Sequence, residues 1–238
     1  MVAETNESLP SPTQTVFIVV AAYNEGRVIA ETLAPLIAQH FKVIVVDDGS
    51  TDDSWNILKR LPVYSLRHPI NLGQGAALQT GAEFALKQGA RYIVHFDADG
   101  QHNPHDIPNL LAPLIEGSAD IVLGSRFLRA ADANEIPWQR RLLLSAAVWF
   151  NWLFTGLHLS DAHNGFRAFT AEAAKSLVIH ENRSAHASEI LTIIKRCGLR
   201  FAECPTTVRY TTYSRTKGQR GITAFDIVFD LVMRRFLQ

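Results

Sequence analysis

The sequence predicts an α/β fold, with a mainly parallel sheet and helices on both faces. Three observations carry that prediction. Continuous β-branched runs such as "TVFIVVAA" and "KVIVVDD" read as strands buried on both faces. Segments with helical spacing separate these runs. The strand ends carry polar clusters, and in such sheets ligands bind outside the carboxyl ends of the strands.

The elements follow in order. The first strand is predicted over Thr15 to Ala22, and "EGRVIAETLAPLIAQH" then has helical spacing. A second buried strand runs from Lys42 to Asp48 and ends in acids. "STDDSWNILKRL" opens with helix-capping residues. "VYSLRH" is a short third strand. "GQGAALQTGAEFALKQG" is an Ala-rich helix with Gly89 as its stop. "RYIVHFD" is the fourth strand, and Asp120 to Arg126 the fifth. The second half is less regular. It holds an apolar stretch from Leu142 to Leu159, the segment "SDAHNGFRAF", a helical "ASEILTIIKRCG" and a strand-like "RFAECPTTVRY". A basic loop, "TTYSRTKGQRG", precedes an amphipathic helix at the C-terminal end.

The chain has 238 residues, is 47% apolar and has a net charge of +0. That apolar fraction supports a real core and argues against disorder. The neutral balance argues against a general nucleic-acid binder, which needs a basic excess. Cys197 and Cys204 lack zinc spacing and read as reduced thiols in a cytosolic protein. Residues 1–14 are polar, with two prolines, and read as a flexible arm rather than a signal peptide. The stretch at 142–159 approaches a span in length, but Ser145, Asn151, Thr155, Gly156 and His158 make it a poor one.

Four strand ends converge on one expected site. "HFDADGQHNP" sets Asp97 and Asp99 two apart, hence on one side of a continuing strand, with Gln101 nearby. Hard cations such as Mg²⁺ or Mn²⁺ take such oxygens, although an isolated D-x-D also fits a plain turn. Asp48, at the end of the second strand, is placed to accept from a nucleobase N–H, while Ser50, Thr51 or Asp52 caps the next helix. In "NLGQGAALQTG" the glycines fit either phosphate binding at a helix start or close helix–sheet packing. Arg126 in "GSR" fits a phosphate contact or a surface ion pair. The histidines lack metal-ligand spacing.

Taken in order, "AAYNEG", "VVDDGSTD", "NLGQGAA", "DADGQHNP", "GSR" and "GFRAF" resemble the family-2 glycosyltransferases of the GT-A fold. Within them the chain is most similar to the polyprenyl-phosphate sugar synthases, including dolichyl-phosphate mannose synthase. The resemblance spans roughly Thr15 to Arg220 and implies roles residue by residue. Tyr23 and Glu25 match the motif that holds the nucleotide, with Ala21 where the pattern has a proline. Val46 and Asp48 match positions around the base. Asp97, Ala98, Asp99 and Gln101 match the metal and diphosphate segment, with Asp97, Asp99 and Gln101 as metal ligands. Arg126 matches an arginine reaching phosphate near the transfer point, and Lys217 a basic residue of the acceptor loop. The companion arginine falls at Thr211, flanked by Arg209 and Arg215.

The resemblance implies an inverting transfer of a hexose, from a UDP- or GDP-sugar to polyprenyl phosphate, with Mg²⁺ or Mn²⁺ as cofactor. It divides the chain into the arm 1–14, a GT-A domain 15–220 and a terminal helix 221–238. Within the domain, 15–126 is the nucleotide-sugar half and 127–220 the acceptor half with its helices. Asp99, Arg126, Asp161 and Lys217 are the expected catalytic set, with Asp161 the candidate base if the acceptor is a glycan hydroxyl. Trp138, Arg140 and Arg141 before an apolar stretch suit a headgroup region, so a peripheral place on the cytoplasmic face of the membrane is expected. A membrane-protein partner fits the same reading. The competing readings are transfer to a glycan hydroxyl, a sugar-phosphate nucleotidyltransferase, and a non-catalytic nucleotide-binding module.

Overall fold

The computed structural model describes residues 15–128, 157, 159–161, 164–182 and 186–209. Seven strands form one mixed sheet: β1 (Val16–Ala22), β2 (Lys42–Asp47), β3 (Tyr64–Arg67), β4 (Tyr92–Asp97), β5 (Ile121–Ser125), β6 (Arg167–Thr170) and β7 (Phe201–Pro205). The described helices are α1 (Ile29–Ala38), α2 (Ser54–Leu58), α3 (Gln74–Lys87), α4 (Ile107–Ile115), α5 (Ala171–Ser176) and α6 (His186–Arg196). The strand order is β3-β2-β1-β4-β6-β5-β7. β1 to β4 pair in parallel, as the continuous apolar runs of β1, β2 and β4 predict. β6 enters antiparallel between β4 and β5, so the fourth and fifth strands are not neighbours. β7 then pairs parallel with β5.

Alternation along the strands splits the core into two layers. Phe17, Val19, Ile44, Val46, Ile93 and Phe169 face α3, α5 and α6. Ile18, Val20, Val43, Val45, Val94 and Phe96 face α1, α2 and α4. In α3, Gly81 lies against Val19, where an added Cβ would collide with the strand. The helix stops as expected, with Gly89 at φ +78°. The glycines of "NLGQG" are used for packing: the Gly73 N–H donates to Asp48, the Gly75 N–H donates to the Asn182 carbonyl, and the Gly75 α-carbon abuts the Glu181 carbonyl. Neither N–H is left for phosphate.

Among the described residues no helix is long and apolar enough to cross a membrane. Residues 1–14, nearly all of 142–159, Arg215, Lys217 and the helix expected over 221–238 lie outside the described residues.

Candidate active site

The site is built where β1, β2 and β4 end. The first loop is stitched to the second. Asn24, at φ 55°, turns the chain after β1. Its N–H donates to Ser50 Oγ at 2.9 Å, and its Oδ1 accepts from Thr51 N at 2.8 Å. Glu25 N donates to Ser54 Oγ, and Gly26 N to Asp52 Oδ2, both at 2.9 Å. Thus Asp52 and Ser54 tie the two loops together, and α2 begins after Asp53 without a side-chain cap. Tyr23 is exposed on this edge while Glu25 is buried.

Val46 and Asp48 lie in the second strand end, with separate surroundings. The Val46 side chain is wholly buried in the core under α3, so only its backbone is placed to meet a ligand. The buried Asp48 carboxylate accepts from Leu72 N at 2.9 Å and Gly73 N at 2.7 Å. His68 Nδ1 lies 2.7 Å from the same carboxylate, and because carboxylates only accept, the ring nitrogen donates. Asp48 therefore organises the 68–73 loop beside its expected place at the base.

β4 ends at Asp97, and Asp99 stands in the turn beyond it. Strand alternation therefore does not bring the two carboxylates together; the turn does, with Gly100 at φ +75°. Asp97 is held on both oxygens, by His102 Nε2 at 2.8 Å and Gln74 Nε2 at 3.1 Å. Gly165 packs so closely on this carboxylate that a side chain there would displace it. Burial alone would raise the Asp97 pKa, but His102 beside it and Arg167 behind it bring it down to about 2. Asp99 goes the other way. Burial and the Asp97 charge both raise it, against one backbone bond from Gln101 N at 3.0 Å.

That imbalance tests the fit of a metal. Two carboxylates stand together, and the raised Asp99 marks a place short of positive charge. Among the described residues no group of three or more His, Cys, Asp or Glu could hold a metal ion. A cation here would need oxygens from a bound ligand as well, which is the habit of Mg²⁺ beside phosphates. Asp99 and Gln101 fit that arrangement, whereas both Asp97 oxygens are engaged.

The second half supplies guanidinium groups. Arg126 follows β5, and its Nε and Nη2 grip Asp161 at 2.6 and 2.8 Å. The Glu203 carboxylate fixes the partner loop, accepting from Ser160 N at 2.9 Å and Ser160 Oγ at 2.8 Å. The expectation for Arg126 is therefore revised in one respect. It stands in a buried ion pair, with side chains 12% and 1% exposed, so replacing it disturbs the fold as well as any ligand contact. Arg167 is buried on β6; burial lowers its pKa to about 10, against the pull of Asp97 and Asp161. Arg209 is exposed, and its N–H donates to the Gln101 carbonyl at 2.8 Å.

Several site-shaping residues escaped the sequence reading. His102 and His68 lack metal spacing, yet each holds a strand-end acid. The available signal was proximity: His102 lies five residues past Asp97, within reach of a turn. His95, on the same face as Asp97, is buried with neither ring nitrogen hydrogen-bonded.

The chain is similar to several known proteins. The pattern of Glycosyl transferase family 2 matches residues 17–178. An uncharacterised protein of Methanocaldococcus jannaschii is 36% identical over 223 residues, covering 92% of each chain. The UDP-N-acetylglucosamine–dolichyl-phosphate N-acetylglucosaminyltransferase of Methanococcus voltae is 31% identical, over 92% of this chain and 95% of that one. The undecaprenyl-phosphate mannosyltransferase of Micrococcus luteus is 27% identical, over 90% and 91%. Among solved structures, glucosyl-3-phosphoglycerate synthase from Mycobacterium tuberculosis, in complex with Mn²⁺, UDP and glucosyl-3-phosphoglycerate, superposes with a TM-score of 0.62. It is 22% identical, covers 92% of this chain and 79% of that chain, and attests the GT-A fold alone. The acid-ended parallel strands, the order of the motifs and the family match agree, and the chain belongs to Glycosyl transferase family 2.

Proposed function

We propose that the protein transfers a hexose from a UDP- or GDP-sugar to polyprenyl phosphate, inverting the anomeric carbon, at the cytoplasmic face of a membrane. The observation that carries the reading is the unequal acid pair at the end of β4. Asp97 is engaged by His102 and Gln74, while the Asp99 carboxylate accepts the Gln101 N–H at 3.0 Å and lies buried beside the Asp97 charge. The names of the Methanococcus voltae and Micrococcus luteus relatives support the lipid-phosphate acceptor.

Each residue then has a task. Tyr23, Glu25, Ala98 and the strand end at Val46 and Asp48 frame the nucleotide. Asp99 and Gln101 would hold Mg²⁺ or Mn²⁺, whose chemistry is to neutralise charge growing on the leaving nucleoside diphosphate. Asp97 keeps its charge at working pH and orients the turn that presents Asp99. Arg126 and Arg209, with Arg215 and Lys217 farther along the chain, offset repulsion between two phosphorylated substrates. The acceptor needs no base, because a phosphate monoester with a second pKa near ~6 is already largely dianionic at neutral pH. Transfer to a glycan hydroxyl would need one. Asp161, the candidate for that task, has both oxygens on Arg126, which weighs against that reading.

The test is a transfer assay with Mn²⁺ or Mg²⁺, a panel of UDP- and GDP-sugars and a short polyprenyl phosphate in detergent. Nucleoside diphosphate release that requires the lipid, and that is lost in Asp99→Ala, is the expected result. Donor binding without lipid-dependent release would overturn the proposed acceptor.

A further inference from the structure

We infer that Asp106 is a positioning residue that docks the segment 206–209 across the Gln101–Asp106 loop and so sets Arg209 beside the diphosphate position. The inference rests on the donor-site reading above. Asp106 is buried and stands at the N-cap of α4, where a carboxylate ordinarily accepts from its own helix. It makes no such cap bond. Instead its Oδ2 accepts from Thr207 N at 2.7 Å, a contact between residues 101 positions apart. A 3-10 turn over Pro104–Asp106 leads into α4 and is capped by Asn103, whose Oδ1 accepts from His105 N at 3.3 Å, so the local cap comes from Asn103 and the Asp106 carboxylate reaches a distant segment.

The segment is pinned along its whole length. Thr206 N donates to the Ser125 carbonyl at 2.9 Å, and Asn164 Nδ2 donates to the fully buried Thr206 Oγ1 at 2.9 Å. Val208 forms an antiparallel bridge with His102, the residue that holds Asp97. Arg209 N then donates to the Gln101 carbonyl at 2.8 Å. Gln101 in turn donates its N–H to Asp99. One run of four residues therefore touches the loop that carries the acids at Asp106, His102 and Gln101. It brings the exposed residue Arg209 to Gln101, Asp99's own hydrogen-bond partner.

The experiment is a double-mutant cycle on binding of UDP and GDP in the presence of Mn²⁺, by calorimetry, with no lipid present. All variants are measured at a temperature where circular dichroism shows them folded. Asp106→Ala is expected to weaken nucleoside diphosphate binding about tenfold, as Arg209→Ala does, and the double variant is expected to lose little more than either alone. Asp106→Asn keeps an acceptor oxygen for Thr207 N–H and should recover most of the affinity. Asp120→Ala is the control. It removes a carboxylate bonded to Arg200 N at 2.8 Å, at the opposite end of β5, and should leave binding unchanged. Additive losses, failure of Asn to rescue, or no binding by the wild type would each overturn the inference. Binding that behaves as expected in a protein that transfers no sugar to polyprenyl phosphate would sustain it, and would overturn the acceptor reading alone.

Discussion

The two halves of the sheet fasten the loops at their ends by different means. In β3-β2-β1-β4 the strand-end acids are met mainly by histidines and loop N–H groups, His68 on Asp48 and His102 on Asp97, with one arginine, Arg67 on Asp47 at 3.1 Å. In β6-β5-β7 the means are a guanidinium and long-range clamps: Arg126 on Asp161, Glu203 on Ser160, Asp106 on Thr207. In the first half Asp99 is buried beside the Asp97 charge, and both raise its pKa. The second half contributes Arg126, Arg167 and Arg209. A site so divided can accept a cation on one side and a phosphate on the other, and the boundary falls where β6 is inserted.

The sharpest break of this contrast is Asp99→Ala. Transfer should fall by 10³-fold or more, about 4 kcal/mol of transition-state stabilisation. The melting temperature should hold or rise, because burial and Asp97 both oppose the charge that is removed. A loss of activity matched by a loss of stability would erase the division between the halves. Next comes Arg126→Ala. It leaves Asp161 charged and buried, and should cost about 3 kcal/mol in chemical denaturation. Adding Asp161→Asn should restore part of that stability without restoring transfer.

A smaller effect sits between the halves, at His95. Burial first, then Arg167 and His186, push its pKa well below 6.5. The unfolded chain therefore binds a proton that the native state refuses. Stability from this group is present above pH 6.5 and is lost as pH falls through that value. Between pH 7 and pH 5 the loss should reach about 2 kcal/mol. His95→Phe, beside Phe169 at 4.7 Å, should flatten the profile in urea titrations at the two pH values. The smallest change tests the first half's packing. Gly81→Ala drives a methyl into Val19 and should cost about 1–2 kcal/mol, read as a lower denaturation midpoint.

The parallel strands were legible because burial on both faces demands unbroken apolar runs, and β1, β2 and β4 have them. The helix α3 was legible through its spacing and Gly89. β6 was not. "RAFT" is four residues with a charge at its head, and it becomes a strand only because β4 and β5 offer it edges. α4 has no counterpart among the expected elements; Pro108 sits at its start and Pro113 is carried inside it. The acids were placed at strand ends by sequence alone, but not their partners.

The sequence by itself determined the fold class, the family and the set of polar strand ends that face one site, because strand burial and motif order are local properties of the chain. Only the tertiary structure decided which acid is paired and which is exposed to unbalanced charge. Asp97 and Asp99 are the same residue type two positions apart. Their difference comes from the hydrogen bonds of His102 and Gln74 and from the charge of Arg167, brought to Asp97 by a turn, a helix start and an inserted strand.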